Sequence, residues 1–257
     1  MDHNYYEKYL FQIIKKCFKK LKSIRNIKAE YKMDGSVITT ADKKIHNLVS
    51  ESLLFISSDI RIISEEGNFK EEEFGEKLYW LIDPIDGTKS YFSGGKGYTI
   101  NIALVKNGNP IIGIIGHPPT NSIWFGSNNI AYKENNGNKV LLKAIDDFNK
   151  PTVIISESFH QQTYDFVKKI KSAKIKRVSS SLKFCQIAEG KAHLYPRLHS
   201  IKKWDIAAGD AILRAAGGSL LKNNLETYKY NLPNSKTGAF FAVSSVSKWK
   251  NTLKKII

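Results

Sequence analysis

The segment at residues 78–89 constrains this chain more than any other part of the sequence. An apolar run is followed directly by Asp83-Pro84-Ile85-Asp86-Gly87-Thr88. We expect residues 78–82 to form a buried strand, which Pro84 ends because its ring fixes φ. The turn that follows brings two carboxylates and the carbonyl of the isoleucine between them to one side of the chain.

Oxygen ligands of this kind suit a magnesium ion. Mg²⁺ binds about six oxygens at ~2.1 Å, so its site needs carboxylates, a carbonyl and room for water or phosphate. Gly87 and Thr88 then begin a short helical turn over residues 88–92. The N–H groups at a helix start favour a phosphate oxygen. Because Asp-Pro and Asp-Gly are also ordinary turn dipeptides, the motif alone leaves a surface turn open.

Acidic residues elsewhere in the chain strengthen the metal interpretation. Residues 60–63 form another short apolar strand, and Glu65-Glu66 follows it. Asp205 stands at the start of a helix predicted to end near residue 216, and Asp42 is at the N-cap of a helix predicted over residues 42–55. Each acid also has a structural alternative, as a helix cap or as a solvated pair.

The order of these acids and their neighbours resemble the inositol monophosphatase superfamily of Mg²⁺-dependent, lithium-sensitive phosphatases. Its pattern is Asp, then Glu-Glu, then Asp-Pro-(Ile/Leu)-Asp-Gly-Thr, then Trp-Asp-x-x-Ala. The chain meets this pattern at Asp42, Glu65-Glu66, residues 83–88 and residues 204–207. The resemblance covers residues 34 to 244.

Within the superfamily the chain is most similar to bacterial 3′(2′),5′-bisphosphate nucleotidases. Three stretches carry this closer similarity, at residues 86–89, 98–104 and 180–197. Two positions depart from it: Ser90 stands where that branch usually has Glu, and Leu198-His199-Ser200 replaces a Phe-Gly-Pro-like turn. We expect contacts near the substrate to differ at these positions.

The resemblance implies two or three Mg²⁺ ions in the site. One ion would be held by Glu65, Asp83 and the carbonyl of Ile85, and a second by Asp83, Asp86 and Asp205. Glu65 would share a third, loosely bound ion, and Glu66 would lie behind the ligands. The implied catalytic residues are Asp42, Thr88 and Glu65, with Thr88 taking the proton of the attacking water. The implied substrate contacts are Asp86, Gly87, Thr88, Lys89, Ser181, Lys183, Arg197 and Asp205.

The basic residues near the predicted site bear on the substrate. A sugar-alcohol phosphatase of this superfamily offers an acid before Trp-Asp, whereas this chain has Arg197 there, which with Lys183 suits a second phosphate. The resemblance implies hydrolysis of adenosine 3′,5′-bisphosphate, a by-product of sulfate activation, to AMP and phosphate. It also implies hydrolysis of 3′-phosphoadenosine 5′-phosphosulfate to adenosine 5′-phosphosulfate and phosphate. The alternatives are an inositol or fructose-1,6-bisphosphate phosphatase, or a basic nucleotide-binding protein without activity.

Composition agrees with an enzyme of the cytoplasm. The chain has 257 residues, 42% of them hydrophobic, which is enough for a large core. It lacks a run of ~18 apolar residues and a signal peptide's apolar region. Cys17 and Cys185 lie in apolar helical patterns and are interpreted as reduced, structural thiols.

The net charge of +16 comes from dispersed lysines. Because no recognition module accompanies them, we expect no nucleic-acid partner, and a monomer or homodimer that binds a small nucleotide bisphosphate. An amphipathic helix is predicted over residues 5–22. Its basic face would permit weak peripheral association with an anionic membrane, but packing of its apolar face on the protein's own core is the preferred interpretation.

The order of elements predicts an α/β (α+β) fold. Strands and then helices are expected in the first part, and strands alternate with helices in the second, which suggests layered sheets between helices. The family resemblance implies a layered αβαβα sandwich. We place a metal-site domain at residues 1–150 and a substrate domain at residues 151–257, closely packed, with the polar segment 146–151 as their boundary.

Overall fold

The computed structural model describes residues 2–32, 35–146, 149–158, 160–231 and 233–257. Two residues of the predicted domain boundary, 147 and 148, lie outside this set. The elements of the first half are α1 (His3–Ser23), β1 (Ala29–Tyr31), β2 (Val37–Thr39), α2 (Thr40–Ile56), β3 (Arg61–Ser64), β4 (Leu78–Asp86), α3 (Thr88–Phe92), β5 (Thr99–Lys106), β6 (Asn109–His117), β7 (Ser122–Ser127), β8 (Ile130–Asn135) and β9 (Asn138–Leu141). Short 3₁₀ helices lie at Glu71–Gly75 and Pro118–Thr120.

The second half alternates strands and helices. Its elements are β10 (Thr152–Ile155), α4 (Gln161–Lys168), β11 (Lys174–Arg177), α5 (Leu182–Ala188), β12 (Leu194–Arg197), a 3₁₀ helix (Lys203–Asp205), α6 (Ala207–Ala215), β13 (Ser219–Lys222), β14 (Phe240–Val243) and α7 (Val246–Leu253).

Two large sheets organise these elements. The seven-stranded sheet has the order β3-β4-β5-β6-β7-β8-β9, in which only the β3–β4 pair is parallel. The five-stranded sheet has the order β11-β10-β12-β14-β13, with β10 parallel to both of its neighbours. A separate two-stranded ribbon, β1–β2, precedes α2.

Side-chain alternation along β4 shows how the larger sheet is covered. Trp80 and Ile82 pack in one core with residues of α1 and α2. Tyr79 and Leu81 point to the opposite face and pack in a second core with residues of α5 and α6. Because successive strand residues face opposite ways, this sheet lies between two helical layers.

Strand β14 shows the same arrangement for the smaller sheet. Phe240 and Ala242 belong to the core that contains α5 and α6, whereas Phe241 and Val243 pack in a third core with α4 and α7. Five layers follow, in the order α1/α2, seven-stranded sheet, α5/α6, five-stranded sheet, α4/α7. The three cores fill the four interfaces between them, because the core around α5 and α6 contacts a sheet on each side. The predicted αβαβα sandwich is confirmed.

The apolar face of helix α1 packs on the protein's own core, which was the preferred interpretation of its sequence. Asp2 caps it by accepting hydrogen bonds from the N–H groups of Asn4 and Tyr5. Its buried face consists of Leu10, Phe11, Ile13, Ile14, Cys17, Phe18 and Leu21. Full burial of each large apolar side chain contributes roughly 1.5–3 kcal/mol. Among the described residues, none of the helices has the length and apolarity that a membrane crossing requires.

Both cysteines lie in this packed interior, as expected. Burial raises the pKa of the Cys17 thiol to about 12 and that of Cys185 well above its usual range. A thiol with a raised pKa is a poor nucleophile at neutral pH, which agrees with a structural role for both.

Some predicted boundaries were wrong. Strand β4 does not end at Pro84 but continues to Asp86, because its pairing with β5 resumes at Asp86 and Thr99 after an irregularity. A proline is tolerated there because no ladder N–H is needed. Helix α4 ends at Lys168 rather than near residue 171, and β1 and β13 were not predicted.

Close packing of α6 on the larger sheet depends on glycine. A Cβ atom at Gly113 of β6 would lie 2.3 Å from the carbonyl oxygen of Ala208, and one at Gly126 of β7 would lie 2.5 Å from the Cα of Ile212. Both neighbours are helix backbone, which cannot rotate away. The two glycines therefore set the depth at which α6 lies, and α6 begins two residues after Asp205.

We expect Gly113→Ala to destabilise the fold by about 1–3 kcal/mol, because the added methyl group displaces α6. The matched control is Gly75→Ala, where a Cβ atom meets nothing within 4 Å. Urea unfolding measures both effects. Equal stability of the two variants would show that the α6 contact is not tight.

Candidate active site

A bulge in β4 brings its two acids to the same face of the sheet. Asp83 is opposite Asn101 and Asp86 is opposite Thr99, so three steps along β4 match two along β5. In a regular strand, residues three apart point to opposite faces, and one extra residue restores a common direction. The backbone around Pro84 therefore aims both carboxylates at one site.

Neighbouring elements supply the other two acids. Glu65 directly follows β3, which is parallel to β4, so the two strands end at the same edge. The backbone N–H of Glu65 donates to the carbonyl of Ile82 at 3.1 Å and fixes this position. Asp205 is the last residue of the 3₁₀ helix before α6.

Three of these carboxylates form a compact group. Oxygens of Glu65, Asp83 and Asp205 all lie within 4.8 Å of one another. Asp83 is 1% exposed, and its Oδ1 has no hydrogen-bond partner among the described residues. A buried carboxylate oxygen without a donor is costly unless a cation satisfies it.

The electrostatics of the group are unfavourable without a cation. Burial and then the neighbouring carboxylates raise the pKa of Asp83 and that of Asp205 well above their usual range. Burial also raises the pKa of Glu65 to about 7, and the Glu66 carboxylate adds to this while Lys32 opposes it. Because each ionised group disfavours the next, a dication among them removes the conflict. The donor set, all oxygen and mostly anionic, fits Mg²⁺.

Asp86 is not part of the compact group. Its Oδ2 accepts hydrogen bonds from the Ser181 hydroxyl at 2.8 Å and from the Asn101 side-chain amide at 3.5 Å. It still lies close enough to contribute to the raised pKa of Asp83 and of Asp205. The structure therefore brings together four of the predicted acids, three of them in contact range and the fourth beside them.

Asp42 and Thr88 form the predicted hydrogen-bonded pair. The Thr88 hydroxyl lies 2.9 Å from Asp42 Oδ1 and 3.0 Å from the carbonyl oxygen of Ile85. The other oxygen of Asp42 accepts from both the N–H and the hydroxyl of Thr39, at 2.7 and 2.5 Å. Asp42 lies in the first turn of α2 rather than at its N-cap, which is Thr39. This capping box fixes the buried carboxylate so that Oδ1 faces Thr88.

A cavity of about 550 Å³ opens beside the acids. Six of the predicted substrate contacts line it, namely Asp86, Gly87, Lys89, Lys183, Arg197 and Asp205. Gly87 is left-handed, with φ 95°, and a Cβ atom there would lie 2.5 Å from the carbonyl oxygen of Gly97. Only glycine therefore allows the loop before β5 to approach the start of α3.

The cations of this cavity differ in how firmly they are held. Arg197 Nη1 donates to the Ser156 hydroxyl at 2.8 Å, and within the described structure its buried Nε has no partner. The Lys183 side chain is buried, with Nζ 5.3 Å from the centroid of the Tyr195 ring. Lys89 is exposed. Arg197 of β12 and Lys183 of α5 are thus two preorganised cations on the cavity wall.

Ser181 does not line the cavity. It is 1% exposed, and its hydroxyl is turned toward the carboxylate of Asp86 and the carbonyl of Asp205. A direct substrate contact of Ser181 stays a prediction. Thr88 also contributes no cavity surface, since its hydroxyl faces Asp42.

Sequence analysis missed two residues at the site. Lys32 Nζ lies 3.1 Å from Glu65 Oε1 and 2.7 Å from Glu66 Oε1. No local pattern distinguishes Lys32 from the other lysines. Asn101 offered a signal, because it is the single amide in β5 and lies between Ile100 and Ile102.

The two departures from the nucleotidase pattern have local roles in the structure. The Ser90 hydroxyl accepts a hydrogen bond from the N–H of Gly97 at 3.0 Å, and so fastens the loop between α3 and β5. The His199 ring packs against that of His160, with ring centroids 3.9 Å apart and ring planes tilted by 42°. Burial and the nearby Arg197 lower the pKa of His199 to about 4, so the ring is neutral at pH 7.

Comparison with known proteins agrees with this geometry. The 3′(2′),5′-bisphosphate nucleotidase CysQ of Buchnera aphidicola is 39% identical over 208 residues, which cover 79% of this chain and 78% of that protein. The crystal structure of CysQ from Bacteroides thetaiotaomicron, a bacterial member of the inositol monophosphatase family, is 27% identical, with a TM-score of 0.74 over 90% of this chain and 92% of that one.

A more distant structure shows the same fold. An IMPase/NADP phosphatase crystallised with Mg²⁺ and phosphate is 19% identical, with a TM-score of 0.72 over 97% of this chain and 92% of that one. The sequence model of the inositol monophosphatase family matches residues 4–247 of this chain. The resemblance inferred from the acidic motifs is confirmed, and the chain belongs to the inositol monophosphatase family.

Proposed function

We propose that this protein is a Mg²⁺-dependent phosphatase that hydrolyses adenosine 3′,5′-bisphosphate to AMP and phosphate. The observation that carries the proposal is the compact group of Glu65, Asp83 and Asp205 beside a cavity lined by Arg197 and Lys183. The similarity to proteins named 3′(2′),5′-bisphosphate nucleotidase supports the same reaction.

The acids would hold the metal as follows. Glu65, Asp83 and the carbonyl of Ile85 form one set of ligands, and Asp83, Asp86 and Asp205 form a second. Glu65 would share a third, loosely bound ion. Bound Mg²⁺ would lower the pKa of an attacking water and stabilise charge on the phosphate and the leaving oxygen.

Thr88 and Asp42 are suited to remove the proton from that water. The Thr88 oxygen would accept the proton while its own hydroxyl proton passes to Asp42 Oδ1, 2.9 Å away. Burial raises the pKa of Asp42, although its hydrogen bonds with Thr39 and Thr88 oppose the shift. A raised pKa makes the carboxylate a better proton acceptor near neutral pH.

The substrate would lie between two anion sites. The N–H groups at the start of α3, after Gly87, would hold the phosphate that is cleaved. Arg197 and Lys183 would hold the second phosphate on the far side of the cavity, since an arginine fork matches phosphate oxygens. This second site would distinguish a nucleotide bisphosphate from a sugar monophosphate.

A substrate panel tests the identity of the reaction. It contains adenosine 3′,5′-bisphosphate, 3′-phosphoadenosine 5′-phosphosulfate, inositol 1-phosphate and fructose 1,6-bisphosphate, each with and without Mg²⁺. We expect the highest kcat/KM for a 3′-phosphorylated nucleotide. Preference for an inositol or fructose phosphate would favour the sugar-phosphatase alternative, and tight nucleotide binding without turnover would favour the binding protein.

We expect Asp83→Asn to lower kcat by about a thousandfold, because a lost charged ligand removes ~4 kcal/mol of transition-state stabilisation. The metal-free variant should be at least as stable as the wild type, because the substitution removes a buried like charge. Steady-state kinetics and thermal unfolding in EDTA measure the two effects. Wild-type Mg²⁺-dependent activity in this variant would refute the metal site.

Divalent ions should control activity strongly. We expect millimolar Mg²⁺ to be required and EDTA to abolish turnover, because the ligands are open carboxylates rather than a closed cage. Ca²⁺ should inhibit because it prefers longer and more numerous bonds, and Li⁺ should inhibit because it has a similar size to Mg²⁺ with half the charge. Full activity in EDTA contradicts the proposal.

Arg197→Ala should impair the bisphosphate selectively. A charge-assisted hydrogen bond is worth ~1.5–3 kcal/mol, so kcat/KM for adenosine 3′,5′-bisphosphate should fall roughly tenfold to a hundredfold. The value for 3′-AMP should change little, because that substrate lacks the second phosphate. Lys174→Ala, at an exposed position of β11, is the matched control. Equal losses on both substrates would instead place Arg197 in the catalytic or structural machinery.

A further inference from the structure

We propose that Asn101 and Ser181 are positioning residues that set the carboxylate of Asp86 and the backbone of Asp205 for metal binding. This inference rests on the proposed function, because it assumes that Asp86 and Asp205 are metal ligands. It replaces the expected substrate contact of Ser181 with a role behind the ligands.

The two residues come from neighbouring layers of the fold, the seven-stranded sheet and the central helical layer. Asn101 lies on β5 directly opposite Asp83 and on the same side as the two acids of β4. Ser181 immediately precedes α5, 80 positions later in the sequence. Their contact therefore connects the seven-stranded sheet to the segment that enters α5.

The hydrogen bonds form a directed chain. The Asn101 side-chain amide donates to the Ser181 hydroxyl oxygen at 2.8 Å and lies 3.5 Å from Asp86 Oδ2. Because the serine oxygen accepts this bond, its single proton is available for Asp86 Oδ2 at 2.8 Å or the Asp205 carbonyl at 2.9 Å. The carboxylate is the stronger acceptor because it is charged.

This chain explains why Asp86 stands apart from the compact acidic group. Among the described residues, hydrogen bonds are donated only to Oδ2 of Asp86, which leaves Oδ1 for a cation. Without them, repulsion from Asp83 and Asp205 would drive the carboxylate toward the cavity. Hydrogen bonds behind a ligand fix its orientation and its affinity for metal.

Stability alone does not account for Asn101. Its side chain is 1% exposed, and Oδ1 is buried without a partner in the part of the chain that the structure describes. An unsatisfied buried polar atom is destabilising, whereas an apolar residue like its neighbours in β5 would avoid that penalty. The amide is therefore best explained by its contacts with Ser181 and Asp86.

The test measures metal binding directly, without substrate. Free Mn²⁺ is counted by electron paramagnetic resonance during titration of the full-length protein and of Ser181→Ala and Asn101→Leu. We expect both variants to bind Mn²⁺ roughly tenfold to a hundredfold more weakly, as is typical when a residue behind a metal ligand is lost. The Mg²⁺ concentration for half-maximal rate should rise by a similar factor, and Ser181→Thr should restore it.

Thr99→Val is the matched control. Thr99 is fully buried on the same face of β5, and its Oγ1 has no described partner. Loss of that hydroxyl should leave Mn²⁺ affinity unchanged. If Thr99→Val weakens binding as much as Ser181→Ala does, the effect is general loosening of the strand and the inference is wrong.

A double variant tests whether the two residues act through one chain. Ser181→Ala with Asn101→Leu should bind Mn²⁺ little worse than the weaker single variant, because both changes remove the same contact with Asp86. Fully additive losses contradict the chain. If Ser181→Ala does not unfold cooperatively in EDTA, Ser181→Cys, with a weaker donor, replaces it in the same titration.

The two proposals fail in different ways. Wild-type Mn²⁺ affinity in the folded serine and asparagine variants, with Mg²⁺-dependent hydrolysis by the wild type intact, overturns the positioning role alone. Mn²⁺ binding that depends on Ser181, with no hydrolysis of any phosphate tested, overturns the proposed function and leaves the positioning role standing.

Discussion

Glu65, Asp83 and Asp205 hold like charges within 4.8 Å of one another around a carboxylate that is 1% exposed. An arrangement of this kind opposes folding unless the surrounding structure imposes it and a cation offsets it. Three elements hold the acids in place: the edge strand β3, the bulged strand β4 and the 3₁₀ helix before α6. The apolar cores on both faces of the larger sheet therefore keep the acids together.

The repulsion among the acids is reduced because they have different hydrogen-bond and ion-pair partners. Lys32 pairs with Glu65 and Glu66, whereas Ser181 and Asn101 hold Asp86 beside the compact group. Asp83 has neither kind of partner at Oδ1 among the described residues. Within the compact group, the most buried acid is thus the one left for a cation, which agrees with its proposed role as the ligand shared by two metal ions.

Depth of packing links the fold to the cavity. Gly113 and Gly126 let α6 approach the sheet at backbone contact. Asp205, two residues before the first residue of this helix, lines the cavity. Gly87 likewise permits the loop that ends at Gly97 to close against α3. Glycine at these positions allows two backbone segments to come into contact, where a side chain would separate them. The shape of the cavity therefore depends on residues that have no functional group.

The sequence by itself determined the family and most of the elements, although not β1 or β13. The motif at residues 83–88 and the apolar periods of α1 and β4 are local, and local patterns fix backbone conformation and the choice of residue types. Only the tertiary structure decided where side chains point. The bulge at Pro84, the pairing of Lys32 with the acids and the contact of Asn101 with Ser181 across 80 residues depend on neighbours distant in sequence. A hydrogen bond or ion pair forms only when packing brings its two groups together, and no single segment encodes that meeting.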